Sequence, residues 1–197
     1  MKLVKTFLVM CLLICTAAAA VAQNGRGNGN ANSKGNVVCP ILTTSFALQP
    51  LSAEESVKLL FMREEEKLAL DIYQALYEKW QVRIFDKIAS SEKRHFDAVG
   101  TLITRYELSD PAKPAAGEFT NPDLQFLYAD LYTKGMTSLV DALEVGVIIE
   151  EKDIEDLKAA IAITDNKDIL IVYGNLLSGS LNHLAAFNSH LETASAN

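Results

Sequence analysis

The chain has 197 residues, 18 basic against 25 acidic, with a net charge of −7, 49% hydrophobic residues and three cysteines. That balance excludes a nucleic-acid binder and a protein that adheres to anionic membranes, since both need a basic surface. The length suits one domain with a sizeable core.

Lys2 and Lys5 form a basic start, residues 8–15 are apolar, and Ala20-Val21-Ala22 is a small-x-small cleavage site. Residues 1–22 are therefore expected to be a removable secretory signal peptide, leaving the protein periplasmic or extracellular with no membrane contact. The apolar run is short for a membrane span. Removal takes two lysines and no acid, so 16 basic residues face 25 acidic ones, a charge of about −9. It also discards Cys11 and Cys15, and Cys39 alone cannot build an internal disulfide framework. Residues 23–36, QNGRGNGNANSKGN, are a Gly/Asn tract expected to be a disordered tether, and 37–50 an irregular lead-in around Cys39-Pro40.

From residue 51 to 192 the reading is nearly all helix. Ser52 with Glu55 three residues on fits a capping box and opens a first long helix over about 53–79. A second covers about 85–107. A Pro/Gly-containing connection over 110–120 leads to Asn121-Pro122, which starts a short helix through about Thr133, ended by Gly135. A third long helix spans about 138–163, the turn Thr164-Asp165-Asn166 follows, and a fourth covers about 167–192. No stretch alternates strictly in twos, so no strands are expected. Short links within pairs one-two and three-four imply two antiparallel hairpins. The roughly thirty-residue link between the pairs is long enough to cross a bundle end to end.

Each long helix repeats one anomaly near its middle. The apolar stripe of the second reads Phe85, Ile88, Ala89, Phe96, Val99, Leu102, Ile103 and Tyr106, and Glu92 and His95 fall inside it. The first stripe, Leu59, Met62, Ala69, Tyr73, Leu76 and Trp80, contains Glu66, with Glu65 at its margin and Glu64 outside it. The third contains Glu150 and Asp153. The fourth, from Ile169 to Leu191, contains Ser180 and His183. Burying such groups among apolar side chains costs several kcal/mol each unless something compensates, and a shared metal ion is one such compensation. The set Glu66, Glu92, His95, Glu150, Asp153 and His183 supplies hard oxygen and imidazole nitrogen without thiols, which suits iron or manganese. A metal-free buried hydrogen-bond network is the other reading, and Glu64-Glu65-Glu66 and Glu150-Glu151 also read as solvated charge runs. Glu54, Glu55 and Asp156 read as helix solvation, and His190 as partly exposed. No phosphate loop, nucleophile elbow or Cys/His pair appears.

Glu66-x-x-Ala69-x-x-x-Tyr73 and Ile88-Ala89-x-x-Glu92-x-x-His95 resemble the first- and second-helix motifs of the ferritin-like superfamily, rubrerythrin-type domains in particular. Residues from about 51 to 192 also resemble a bacterial and archaeal family of ferritin-like domains of unknown function. The matching segments are residues 62–69, 119–122, 149–154 and 179–183. The resemblance implies an all-α, antiparallel four-helix bundle with one long crossover carrying a short extra helix, enclosing a dinuclear iron site. Two iron ions per chain are implied, with manganese as a substitute and oxygen or peroxide as the small oxidant. Glu66 is then a first-helix carboxylate, Glu92 a bridge, His95 a ligand to one metal, Glu150 the third-helix carboxylate and His183 the ligand to the other. The departure is Ser180, where the family places a glutamate; Asp153, one turn from Glu150, can fill that place. Tyr73 is the candidate catalytic residue, able to bond a ligand carboxylate or quench an oxidising intermediate, and equally readable as a core tyrosine. The activity expected is ferrous iron oxidation or peroxide reduction. A metal-storage module and a structural domain with a decayed site stand as alternatives, and the sequence allows an oligomer.

Overall fold

A computed structural model describes residues 47–195. The expected signal peptide, tether and Cys39 lie outside these residues. The described residues form five helices and no strand: α1 (Ala53–Trp80), α2 (Arg83–Arg105), α3 (Pro122–Gly135), α4 (Leu139–Ile163) and α5 (Lys167–Ser195). The helix starts follow local chemistry. Ser52 accepts from the Glu55 amide while the Glu55 side chain accepts from the Ser52 amide, completing the capping box. Asn121 caps α3 with Pro122 in its first turn, and Ser138 caps α4. α1 stops where Gln81 takes a left-handed conformation at φ 55°.

The most extensive contacts are α1 with α2 and α4 with α5, each pair joined by a short turn into an antiparallel hairpin. α1 also packs on α4, and α2 on α5, so the four long helices touch in a closed circuit. The link from α2 to α4 travels the length of α1. Asp110 near its start bonds Arg63, and the Gly135 carbonyl near its end accepts from Trp80 Nε1. α3 lies in this link against α1 and α4.

This link overturns part of the stripe expected for α1. Every residue from Met62 to Tyr73 is buried, including Glu64 and Glu65, so the acid run is no solvated face. The crossover covers the side of α1 that would otherwise meet water. Glu64 accepts from the Thr120 and Asn121 amides, Lys67 donates to the Ala115 carbonyl, and Asp71 accepts from the Gly117 amide. Glu55 likewise departs from the solvated role expected of it. It is buried and accepts from Thr164 Oγ1 at 2.5 Å and Asn166 Nδ2 at 2.8 Å, tying the α4–α5 turn to the start of α1. Asp156 is half-buried and pairs with Lys58 and Lys152, and it too does more than solvate a helix. His190 is exposed.

The apolar interior comes in two pieces. One gathers Tyr73, Leu76, Phe85, Ile88, Val145, Ile149 and Phe187. The other gathers Leu59, Met62, Val99, Leu102, Leu157, Val172, Tyr173 and Leu176. Each large buried side chain contributes about 2 kcal/mol through removal from water. On each long helix the residues between the two pieces are the polar ones singled out in the sequence, and they form a belt across the interior.

Candidate metal centre

α2 places Glu92 and His95 three residues apart, hence on one face, and that face meets both α1 and α5. Glu92 Oε2 lies 2.7 Å from His95 Nδ1, and Glu66 Oε2 from α1 reaches the same nitrogen at 3.4 Å. The other oxygen, Glu92 Oε1, lies 2.7 Å from His183 Nδ1 of α5, and Glu150 Oε2 from α4 reaches that nitrogen at 3.5 Å. Two triads result, Glu66–Glu92–His95 and Glu92–Glu150–His183, each offering ligand atoms within 4.8 Å of one another. Glu92 is common to both, one oxygen turned to each imidazole. The two rings stack at 5.7 Å between centroids.

Five expected members thus meet in two groups. Asp153 falls outside both triads. One of its oxygens is in hydrogen-bond contact with the buried Ser180 hydroxyl, which also contacts the Leu176 carbonyl; its Oδ1 has no partner. Ser180 therefore serves to hold Asp153. Tyr73 is fully buried, and its hydroxyl donates to Glu150 Oε1 at 2.6 Å.

Charge makes the belt costly without a counterion. Glu65, Glu66, Glu92, Glu150 and Asp153 are all buried, and their acids outnumber the two imidazoles. The nearby cationic chains pair elsewhere, Arg63 with Asp110, Lys67 with Asp71 and Lys152 with Asp156. Burial, with the charges of Asp153 and Glu92, holds the Glu66 carboxyl well above the usual carboxylate range. Burial likewise pushes Glu150 up to about 7, reinforced by the Glu92 charge and opposed by His183. Asp153 also rises to about 7, chiefly by burial. Burial acts on Glu92 in the same sense, but the two imidazoles outweigh it and bring its carboxyl down to about 2. Burial alone would depress His183, yet Glu150 and Glu92 carry it up to about 9. Burial keeps the Tyr73 phenol firmly protonated, aided by the charge of Glu150.

The donor set is compatible with bound metal. Glu66 Oε1, Glu92 Oε1 and His183 Nδ1 are buried without hydrogen-bond partners, although the last two lie 2.7 Å apart. A nitrogen and an oxygen that close, but poorly aligned for a hydrogen bond, can serve together as ligands once the imidazole exchanges its proton for a cation. Three carboxylates and two imidazoles, with no thiol, suit iron or manganese.

Two contributors are not singled out by inward-polar reasoning. A Cβ on Gly179 would lie 2.6 Å from His95 Cε1 and 2.7 Å from Nε2, so only glycine leaves room for that ring. An isolated glycine inside a helical pattern, one residue before Ser180, is the signal for this close approach. The other is Glu65, placed at the stripe margin by periodicity but 4% exposed in the structure.

Residues 55–197 match the family described as Uncharacterized protein domain (DUF2202). The chain is 49% identical over 155 residues to uncharacterized protein MJ0754 of Methanocaldococcus jannaschii, covering 78% of this chain and 84% of that protein. It is also similar to the crystal structure of hypothetical protein MJ0754 from Methanococcus jannaschii DSM 2661, with a TM-score of 0.75 at 49% identity. That match covers 77% of this chain and 87% of the other.

Proposed function

The chain belongs to the DUF2202 domain family, and from the belt enclosed by its helices we propose that it is an exported ferritin-like metal-carboxylate protein. In this reading α1, α2, α4 and α5 form a ferritin-like four-helix bundle, and the α2–α4 link is its one long crossover. Glu66, Glu92 and His95 hold one transition-metal ion; Glu92, Glu150 and His183 hold a second. Iron is the favoured metal and manganese the substitute. When bound, such a pair supplies one-electron redox chemistry toward oxygen or peroxide.

The residues around the triads have definable work. Glu92 gives one oxygen to each site, fixing their separation. Tyr73 holds the Glu150 carboxylate in one orientation and keeps its own proton. The apolar clusters on either side exclude bulk water, which strengthens each charge interaction inside. The observation that carries the proposal is the Glu92 carboxylate facing two separate imidazole Nδ1 atoms at 2.7 Å each.

Ser180 favours a second reading, a binding or storage module without turnover. It stands where a fourth-helix carboxylate would complete a more symmetric pair, and its hydroxyl is engaged with Asp153. One experiment separates the readings. Metal-free mature protein is titrated anaerobically with iron(II), analysed for bound iron, then exposed to air. About two ions per chain and faster ferric absorbance than the buffer blank support the oxidase. Full binding without acceleration supports storage. Glu92→Gln, close to isosteric, is expected to retain less than one ion per chain. Wild-type protein that retains no iron or manganese would falsify both readings.

A further inference from the structure

Glu65 adjoins Glu66 in the chain but belongs to neither triad. It is 4% exposed, and its carboxyl oxygens meet no donor group, the polar group within reach being the carboxyl of Asp156. Packing alone asks for an apolar side chain at such a position. Outward from it, the α1–α4 seam is roofed by charged chains. Lys58 and Lys152 both sit over the Phe61 ring, at 5.5 and 5.6 Å, and both pair with Asp156. Asp156 is 14% exposed at its side chain, whereas the Lys152 side chain is 43% exposed. Inward, Asp153 stands one helical turn from Asp156 and keeps Oδ1 unpartnered. The charges of Asp153 and Asp156 both act on Glu65, and that of Asp153 also acts on Glu66. Asp156 and Asp153, one turn apart on α4 where it packs on α1, thus stand beside Glu65 between a half-covered surface pair and the belt.

We propose that Glu65, with Asp156 outside it and Asp153 inside it, is a transient cation site through which divalent metal passes from solvent to the Glu66–Glu92–His95 triad. The inference rests on the metal-binding reading of the centre. A divalent ion has stronger claims on Asp156 than a lysine has, because it carries twice the charge on a smaller group. It displaces Lys152, meets two oxygens on Glu65 and a third on Asp153, and stays loosely held because these groups include no imidazole. The Ser180 contact holds one oxygen of Asp153 and leaves Oδ1 open. Such a role accounts for a buried carboxyl that the triads do not use.

The test follows the loading of metal-free full-length mature protein with cobalt(II) by stopped-flow absorbance, with elemental analysis of the final state. Glu65→Gln is expected to reach the wild-type occupancy about tenfold more slowly, since an inlet lined by one sign of charge speeds association by that order or more. Asp156→Asn should slow loading in the same way. Glu155→Gln removes an equal charge from an exposed neighbouring position and should load at the wild-type rate. Loading of Glu65→Gln at the wild-type rate overturns the passage, as does a lower final occupancy, which would make Glu65 a resident ligand. If Glu65→Gln does not fold, an unchanged rate in Asp156→Asn overturns it equally. Wild-type protein that takes up no cobalt removes the metal-binding reading itself and the passage with it.

Discussion

At the scale of single residues, the centre depends as much on what is missing as on what is present. Gly179 has no side chain because the His95 ring occupies that space. Gly179→Ala would ordinarily favour the helix by about 0.5–1 kcal/mol. Here the added methyl is expected to rotate His95 away from Glu66 and Glu92, removing the ion of that triad while Tm changes little. Bound metal per chain beside a thermal melt checks this, and unchanged occupancy would show that the close approach is immaterial. All five triad residues are legible in the sequence, because Glu66, Glu92, His95, Glu150 and His183 interrupt apolar stripes at helical spacing. Glu65 and Glu64 are not, since periodicity describes the side of a helix facing its neighbours and is silent about a covering strand of chain. Gly179 is legible as an oddity, but its role needs the position of a ring from another helix.

At the scale of elements, helix identities and ends follow from local chemistry: the Ser52–Glu55 box, Asn121-Pro122, and the turn over residues 164–166. What local chemistry does not show is how ends of different helices fasten together. Glu55 serves its own cap and, across the molecule, Thr164 and Asn166. Burial would raise its carboxyl, but these hydrogen bonds prevail and take it from an ordinary 4.5 down to about 2. A carboxyl held low in the folded state contributes stability that is complete above pH 4.5 and disappears as pH falls toward 2. Glu55→Gln is therefore expected to lower stability by about 2 kcal/mol near neutral pH. Its Tm should converge on that of the wild type between pH 4.5 and 2. A difference independent of pH would mean that Glu55 acts by shape alone.

At the scale of the whole molecule, the belt sets how the metal-free protein responds to pH. Glu150 and Asp153, each at about 7, and His183, at about 9, all bind protons more tightly when folded than their ordinary values allow. Such groups add stability at low pH and lose it as pH rises through the folded values. Metal-free protein should therefore melt at progressively lower temperature from about pH 5 to pH 9. Cations bound in the belt would replace those protons, so the Tm gap between loaded and chelator-treated protein should widen over the same range. A constant gap would place the bound metal outside the belt. The two halves of the molecule also contribute unequally. The first triad is drawn wholly from the α1–α2 hairpin, whereas the second spans both hairpins through Glu150 and His183. An ion held in the second would act as a rivet between halves that the backbone joins by a single strap. A breathing motion that parts them would empty that position and leave its neighbour filled, so a half-loaded form would be the natural first product of loosening.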